Sequence, residues 1–441
     1  MMRPASPRWF WWALVGVAVA GFAIRVTYIL VARQDDVFGG DAFFYHGGAN
    51  FLADGKGFTS PFFPDRSVQA GEHPPLYLLY LAIPSVLGFQ SVLAHLIWSA
   101  VLGTATVMLI GLIGREVGGA RLGIIAGGLA ATYPNLWVPD GSLMAESMAM
   151  FATALAVYFA YRYWRDPQWW RLAAVGAASG AGALSRSELI LIVPLMVVPL
   201  AILAQGVARR DRVKGMVAAA MVAVMLMTPW FVFNLTRFEK TELLSTQFGP
   251  LLSSANCDEI WRGHHKSYFS INCTEQIRLR EVPAGLDQSE EDGIYRRAAI
   301  AYIKDHTDLI PGVVAARVAA IVGLYNPELQ IRIDGTIEGR GVGVARAGMY
   351  SFYALALLSV AGAIALRRRR TVPVFPLLVP PVMVLFTVVV TYASTRFRAS
   401  AEVVLCVLAA VTVEAAIGAL RGSSDHSASA GLVTTKSGTS T

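Results

Sequence analysis

From Trp9 to Val31 the chain runs without charge except at Arg25. An α-helix crossing a bilayer needs roughly 20 apolar residues, so this run is long enough to span. Comparable runs recur at Gln90–Ile113, Arg121–Val138, Ser142–Tyr163, Val213–Phe233, Ala347–Leu366, Val372–Thr391 and Ala399–Leu420. Arg171–Leu203 is too long for one span, and the polar knot Ser185-Arg186-Ser187-Glu188 divides it into two short ones. The reading is an all-α polytopic membrane protein of about ten spans, because only internally hydrogen-bonded helices or closed barrels cross lipid. Composition agrees: 55% of residues are hydrophobic and 15% charged, too few charges to cover a soluble body of 441 residues.

Charge placement orients the bundle. Arg115 and Arg121, then Arg162, Arg165 and Arg171, then Arg209, Arg210, Arg212 and Lys214 fall in alternate short loops, which marks those loops as cytoplasmic. The first run follows Arg3 and Arg8 and exceeds a signal-peptide core, so it is read as a retained span with its N-terminal side inside. The net charge of +7 is thereby explained without nucleic acid. Asp308–Tyr325 is read as an interface segment, which leaves the quartet Arg367–Arg370 cytoplasmic. Four regions follow: an N-terminal membrane module over 1–233 with a first outer loop at 32–88, an outer soluble segment over 234–307, an interface helix and C-terminal spans over 308–420, and a disordered tail over 421–441. Within the first loop, Asp41–Phe51 is read as a surface helix and Leu76–Leu87 as an interface helix too short to span. Cys257 and Cys273 both fall in the outer segment and are read as a disulfide, with free thiols as the alternative; Cys406 lies in an apolar run.

In this topology Asp41, Tyr45, Glu72, His73, Asp140, Glu146, Arg186, Glu188, Arg396 and Arg398 gather at outer helix ends. Charges beside apolar spans are costly unless they pair, and acids and bases at one level can build a site. Asp41 and Tyr45 share one helical face; Asp41 suits a general base, or a cap for the helix that follows. Asp35 and Asp36 are rival carboxylates. Glu72-His73-Pro74-Pro75 could touch a phosphate or, through Glu72, a divalent cation; a solvated turn is the alternative. Glu146 in the first turns of a span needs a partner. Arg186 beside Glu188 could be a structural ion pair or a phosphate contact, and Arg396 and Arg398 suit bidentate phosphate binding or lipid anchoring. Arg25 is read as snorkelling or structurally paired, and His264-His265 as a surface loop. Neither a Walker A sequence nor G-x-G-x-x-G is present, so an ATP-driven pump or nucleotide-sugar enzyme lacks its expected motif. A membrane transporter or flippase of a lipid-linked sugar is the competing class; it would place its charges near the midplane.

The ordered set Gly40-Asp41-x-x-x-Tyr45, Glu72-His73-Pro74-Pro75-Leu76-Tyr77, Tyr133-Pro134 through Glu146, Leu184-Ser185-Arg186-Ser187-Glu188, Thr228-Pro229-Trp230-x-x-x-Asn234 and Arg396-Phe397-Arg398 resembles the GT-C superfamily of membrane glycosyltransferases. The likeness is to the dolichyl-phosphate-mannose protein mannosyltransferase type and its bacterial aminoarabinose-transferase relatives, over roughly residues 8 to 420. The resemblance implies a polyprenyl-phosphate-linked sugar as donor, inverting transfer to a glycan, lipid or protein acceptor, and a site on the extracytoplasmic face of a cell membrane. It aligns Asp41 with the family's first-loop catalytic acid and Glu146 with its second acidic position. Donor phosphate contacts then fall to Arg396, Arg398, Arg186 and His73, substrate contacts to Tyr45 and Glu188, and a divalent cation at Glu72 is optional. Two positions depart from the family pattern: His73 stands where Lys is frequent, and Ser187 where Pro is usual.

Overall fold

The computed structural model describes residues 7–34, 39–64, 68–336 and 338–433. Its regular secondary structure is helical; among the described residues the β pairing is a single bridge between Thr59 and Gln69. Helix α1 (Arg8–Ala32) leads into the first loop, which carries α2 (Gly40–Ala53) and α3 (Leu76–Val86). Then come α4 (Val92–Gly118), α5 (Ala120–Thr132), the one-turn α6 (Pro134–Trp137), α7 (Glu146–Arg165) and α8 (Trp169–Ala183). A 3-10 turn at Ser187–Leu191 and a π turn at Val193–Val197 precede α9 (Val198–Leu203), and α10 (Arg209–Arg237) closes this part. The outer segment holds α11 (Phe248–Ala255), α12 (Asp258–Trp261), α13 (Ile271–Glu281) and α14 (Gln288–Asp305). Helices α15 (Ile310–Ile321), α16 (Pro327–Thr336), α17 (Val342–Arg369), α18 (Phe375–Val390) and α19 (Ala399–Val433) complete the chain.

Among the described residues, five helices are long and apolar enough to cross a membrane: α1, α4, α10, α17 and the stretch Thr395–Leu420. Ala120–Thr132, Ser187–Leu203 and Phe375–Val390 are shorter apolar helical stretches. With 12 residues, α15 is about 18 Å long, well under the roughly 30 Å of a hydrocarbon core. The 11-residue α3 is shorter still. The polar knot after α8 does break the helix, and Leu184 and Ser185 are stitched inward: the Leu184 carbonyl accepts from Leu76 N–H at 2.7 Å, and Ser185 Oγ donates to the Ala145 carbonyl at 3.0 Å. Helix α19 runs on to Val433, into the stretch read as a disordered tail; residues 434–441 lie outside the described residues, as do Asp35 and Asp36.

Small residues let helices approach. Gly176 and Gly180 of α8 face Ala219 and Ala223 of α10, where a methyl on Gly180 would lie 2.7 Å from the Ala223 Cα. Close contact of backbones is how helices associate where lipid removes the hydrophobic drive. In α17, Gly362 abuts the Leu408 carbonyl of α19, and Ser359 Oγ donates to the Leu405 carbonyl at 2.9 Å. Arg25 is buried and structural: it donates to Asp140 at 2.7 Å and to the Gly21 and Leu136 carbonyls at 3.1 Å each. That pairing also takes Asp140 out of the site group, with Ser147 Oγ donating to its other oxygen at 2.6 Å.

In the outer segment Cys257 and Cys273 are joined by a disulfide, with Cα atoms 6.1 Å apart. Trp261, Ile260 and Cys273 pack with Val313 of α15, and Arg317 donates to the Ala255 carbonyl at 2.9 Å and the Val389 carbonyl at 3.1 Å. The segment is therefore seated on α15 and α18. Helix α14 starts at a capping box in which Asp287 accepts from Ser289 and Glu290 N–H. His264 and His265 are exposed on its surface.

Candidate active site

Charges converge at one end of the bundle because several helices begin there. Asp41 lies in the first turn of α2 and Glu146 opens α7, where unpaired N–H groups favour a carboxylate. Arg186 follows α8, and Arg396 sits in a 3-10 turn, Thr395–Arg398, that feeds α19. Arg396 is the hub. Its Nε donates to Glu146 Oε1 at 2.7 Å, one Nη to Asp41 Oδ2 at 2.6 Å and the other to Glu338 Oε2 at 3.2 Å. Arg186 donates to the same Glu146 oxygen at 2.8 Å and to Glu188 at 2.7 Å, and its guanidinium lies over the Phe397 ring at 4.9 Å. His73 Nε2 stands 3.4 Å from Asp41 Oδ1, its ring packed against Phe44 and Tyr45.

Four carboxylates thus share two guanidiniums and one imidazole. Burial alone would raise the Asp41 carboxyl, but Arg396 and then His73 outweigh it and hold Asp41 well below the ordinary carboxylate range. Burial pushes the Tyr45 hydroxyl well above its ordinary value, with Asp41 and Glu146 adding to the effect, so Tyr45 stays a neutral donor. Burial also raises Glu338, against the pull of Arg396 and Arg340. The buried Glu146 Oε2 has no hydrogen-bond partner among the described residues.

Asp41, Tyr45, His73, Glu146, Arg186, Glu188 and Arg396 are therefore brought together. Arg398 is not. It lies two residues from Arg396 on a 3-10 turn and points into the bundle, donating to Glu402 at 3.0 Å and to the Ile321 carbonyl at 3.2 Å, with Phe352 against its guanidinium. Glu402 is further held by Tyr133 Oη at 2.5 Å and Asn135 at 3.2 Å. With two of its nitrogens so engaged and its side chain 4% exposed, Arg398 faces the interior of the bundle rather than the hub. Glu72 diverges likewise from its neighbour His73. Its carboxylate accepts from Gln288 of α14 at 2.9 Å, and its carbonyl accepts from Ser245 at 2.5 Å. Among the described residues no three His, Cys, Asp or Glu side chains come together in a way that could hold a metal ion.

Glu338 escapes a sequence reading. It lies in the glycine-rich stretch between α16 and α17, far in sequence from the motifs above, and its signal is one acid among Gly335, Gly339 and Gly341. Gly339 and Gly341 adopt φ of 63° and 78°, a left-handed conformation that glycine takes at little cost. Arg33 at the end of α1 clips this stretch down, donating to the Gly339 carbonyl and, at 2.8 Å, to the Gly141 carbonyl. Arg340 donates to Thr395 at 3.2 Å, one residue from the hub.

A family model described as dolichyl-phosphate-mannose-protein mannosyltransferase matches residues 72–233. Among curated proteins no sequence matches the chain. The fold is shared with the oligosaccharyltransferase AglB of Archaeoglobus fulgidus, solved with an inhibitory peptide and a dolichol-phosphate: TM-score 0.56 at 15% identity, covering 96% of this chain and 52% of that one. The apo form of the Archaeoglobus fulgidus enzyme gives TM-score 0.56 at 14% identity over 93% of this chain and 51% of that one. ArnT from Cupriavidus metallidurans bound to undecaprenyl phosphate also matches, with TM-score 0.41 and 14% identity over 91% of this chain and 77% of that one. The chain spans about half the length of the archaeal enzymes it matches. The likeness to GT-C membrane glycosyltransferases read in the ordered motifs is thus met by a mannosyltransferase family model over 72–233 and by an oligosaccharyltransferase fold over nearly the whole chain.

Proposed function

We propose that this chain is a membrane glycosyltransferase that moves a sugar from a polyprenyl-phosphate donor to an acceptor hydroxyl, with inversion, at the extracytoplasmic face. The observation that carries the reading is the hub itself: Asp41 and Glu146, from helices far apart in sequence, meet on one guanidinium. The topology proposed with it crosses the membrane about ten times, counting the shorter apolar helices, with arginine-rich loops inside.

The chemistry follows from charge. When the bond between the anomeric carbon and the phosphate oxygen breaks, the electron pair stays on the departing polyprenyl phosphate. Arg396 and Arg186 stabilise that growing charge. Glu146 accepts from both, so it fixes the two guanidiniums in register. The acceptor oxygen attacks the opposite face of the sugar and passes its proton to Asp41. An Asp41 held strongly ionised by Arg396 is a weak base. Donor phosphate competes for the same guanidinium, and as Arg396 turns toward it the Asp41 carboxylate becomes more basic. Donor binding therefore arms the base. Tyr45 and Glu188 flank the cluster and suit contacts to the sugar, and His73 supports Asp41. The outer segment sets acceptor choice.

The test uses the purified full chain with labelled polyprenyl-phosphate hexoses and pentoses, reading free polyprenyl phosphate and labelled product by mass spectrometry. Asp41→Asn is expected to lose about 10²–10⁴-fold in rate with unchanged sizing behaviour, the usual loss for a placed base. Near-normal turnover by that variant removes Asp41 from the mechanism. Retained anomeric configuration in the product removes single displacement.

A further inference from the structure

At the opposite end of the bundle a cavity of about 620 Å³ opens between α7, α17 and α18. Trp164 on its wall stands 18 residues beyond Glu146 on α7, about 27 Å along the helix axis. It is therefore a different place from the acid–guanidinium hub. Arg367 and Arg370 line it together with Ile364, Phe375 and Leu378. Arg370 closes α17 in a left-handed conformation, φ 52°, and turns the chain back so that Thr371–Phe375 forms the facing wall. That wall is pinned where Tyr161 Oη donates to the Pro373 carbonyl at 2.9 Å. Among the described residues, no acidic side chain lines the cavity.

A cluster of arginines at a cytoplasmic helix end is ordinary. Arranging two of them around a cavity is not required by that rule. Arg369, between them in sequence, instead lies 3.6 Å from Glu414 of α19. The other half of the cavity is apolar and open sideways: Ile364 is 50% and Leu378 43% exposed, continuous with exposed Val360 and Leu357 on the outer face of α17. A soluble anion would use the guanidiniums and leave this apolar side unmatched. A phosphate diester carrying acyl chains matches both, and the volume falls in the range of small-molecule sites. We propose that the cavity holds the headgroup of an anionic glycerophospholipid, with Arg367 and Arg370 on the phosphate and Ile364, Phe375 and Leu378 against the first acyl methylenes. The lipid braces α17 against α18, the helices that deliver the 3-10 turn of Arg396.

The experiment titrates the detergent-purified full chain with dioleoylphosphatidylglycerol and reads bound lipid by native mass spectrometry. Wild type is expected to take up one phosphatidylglycerol in preference to dioleoylphosphatidylcholine. Arg367→Gln with Arg370→Gln should weaken that binding by at least about tenfold, the scale of lost charge-assisted hydrogen bonds. Arg368→Gln removes one neighbouring positive charge that does not line the cavity, and should bind as wild type does. Photoactivatable phosphatidylglycerol should label peptides spanning 363–378 in the wild-type protein, a readout that needs no variant to fold. Equal loss in Arg368→Gln, equal uptake of phosphatidylcholine, displacement by inorganic phosphate at matching concentration, or labelling elsewhere would each overturn the proposal. None of these outcomes depends on the glycosyltransferase reading.

Discussion

Arg396 holds three carboxylates that would otherwise repel one another, and this fixes what its removal should do. In Arg396→Gln, Asp41 keeps His73 and Glu146 keeps Arg186, but Glu338 loses the Arg396 guanidinium that bonds its carboxylate. Breaking a buried ion pair from one side costs about 3–5 kcal/mol. The Arg396 and Asp41 side chains are 16% and 28% exposed, so water screens part of the effect and about 2–4 kcal/mol is expected. Glu338→Gln alone should cost under about 1 kcal/mol, because Arg396 keeps Asp41 and Glu146 and the hub loses excess negative charge. The double variant removes the stranded carboxylate with the guanidinium and should recover about 1–2 kcal/mol of the Arg396→Gln loss. Equilibrium unfolding in mixed detergent micelles, followed by tryptophan fluorescence, measures all four proteins. Strict additivity of the two substitutions would falsify the claim that Glu338 and Arg396 form one electrostatic unit. Turnover should not recover in the double variant, since stability and phosphate stabilisation are separate losses.

Two further perturbations address the packing and the outer segment. Gly180→Leu should force α8 from α10, costing about 1–3 kcal/mol by overpacking, and unchanged stability would mean the helices are not in backbone contact. Glu242 is pushed up to about 7 by burial, with Asp292 adding to the rise and Arg296, 3.5 Å away, opposing it. The folded outer segment therefore binds more protons than the unfolded chain between about pH 4.5 and 7, and its stability falls as pH rises through that window. Hydrogen exchange over 239–305 should show this loosening, and Glu242→Gln should flatten it; an identical pH dependence in the variant refutes the assignment.

The five long apolar helices were legible because each is written locally, as an apolar run with Gly, Pro or charge at its ends, whereas the run read as one span at Arg121–Val138 breaks after Thr132. The break at Ser185–Glu188 and the short α3 and α15 could be read the same way. The site was legible in part. Asp41, Glu146, Arg186 and Arg396 announce themselves as charges against apolar helices, where an unpartnered group is costly. Side-chain direction was not legible. Glu72 and His73 are adjacent yet face Gln288 and Asp41 respectively, and Arg396 and Arg398 part company on a 3-10 turn. Glu338 was hidden because a lone acid in a glycine-rich connection has no periodicity, and contacts distant in sequence, from Arg33 to Gly339 and from Arg340 to Thr395, hold it at the hub.

The bond from Gln288 to Glu72 ties the extramembrane portion to the residue just before His73, which in turn leans on Asp41. Gln288 also accepts from the Gly71 N–H and from Thr246, so three parts of the chain meet at one amide. On the proposed function, specificity and rate are therefore mechanically coupled here. A chimera that imports a foreign extramembrane portion will need to carry an equivalent of Gln288, or its new acceptor will be presented to a displaced base.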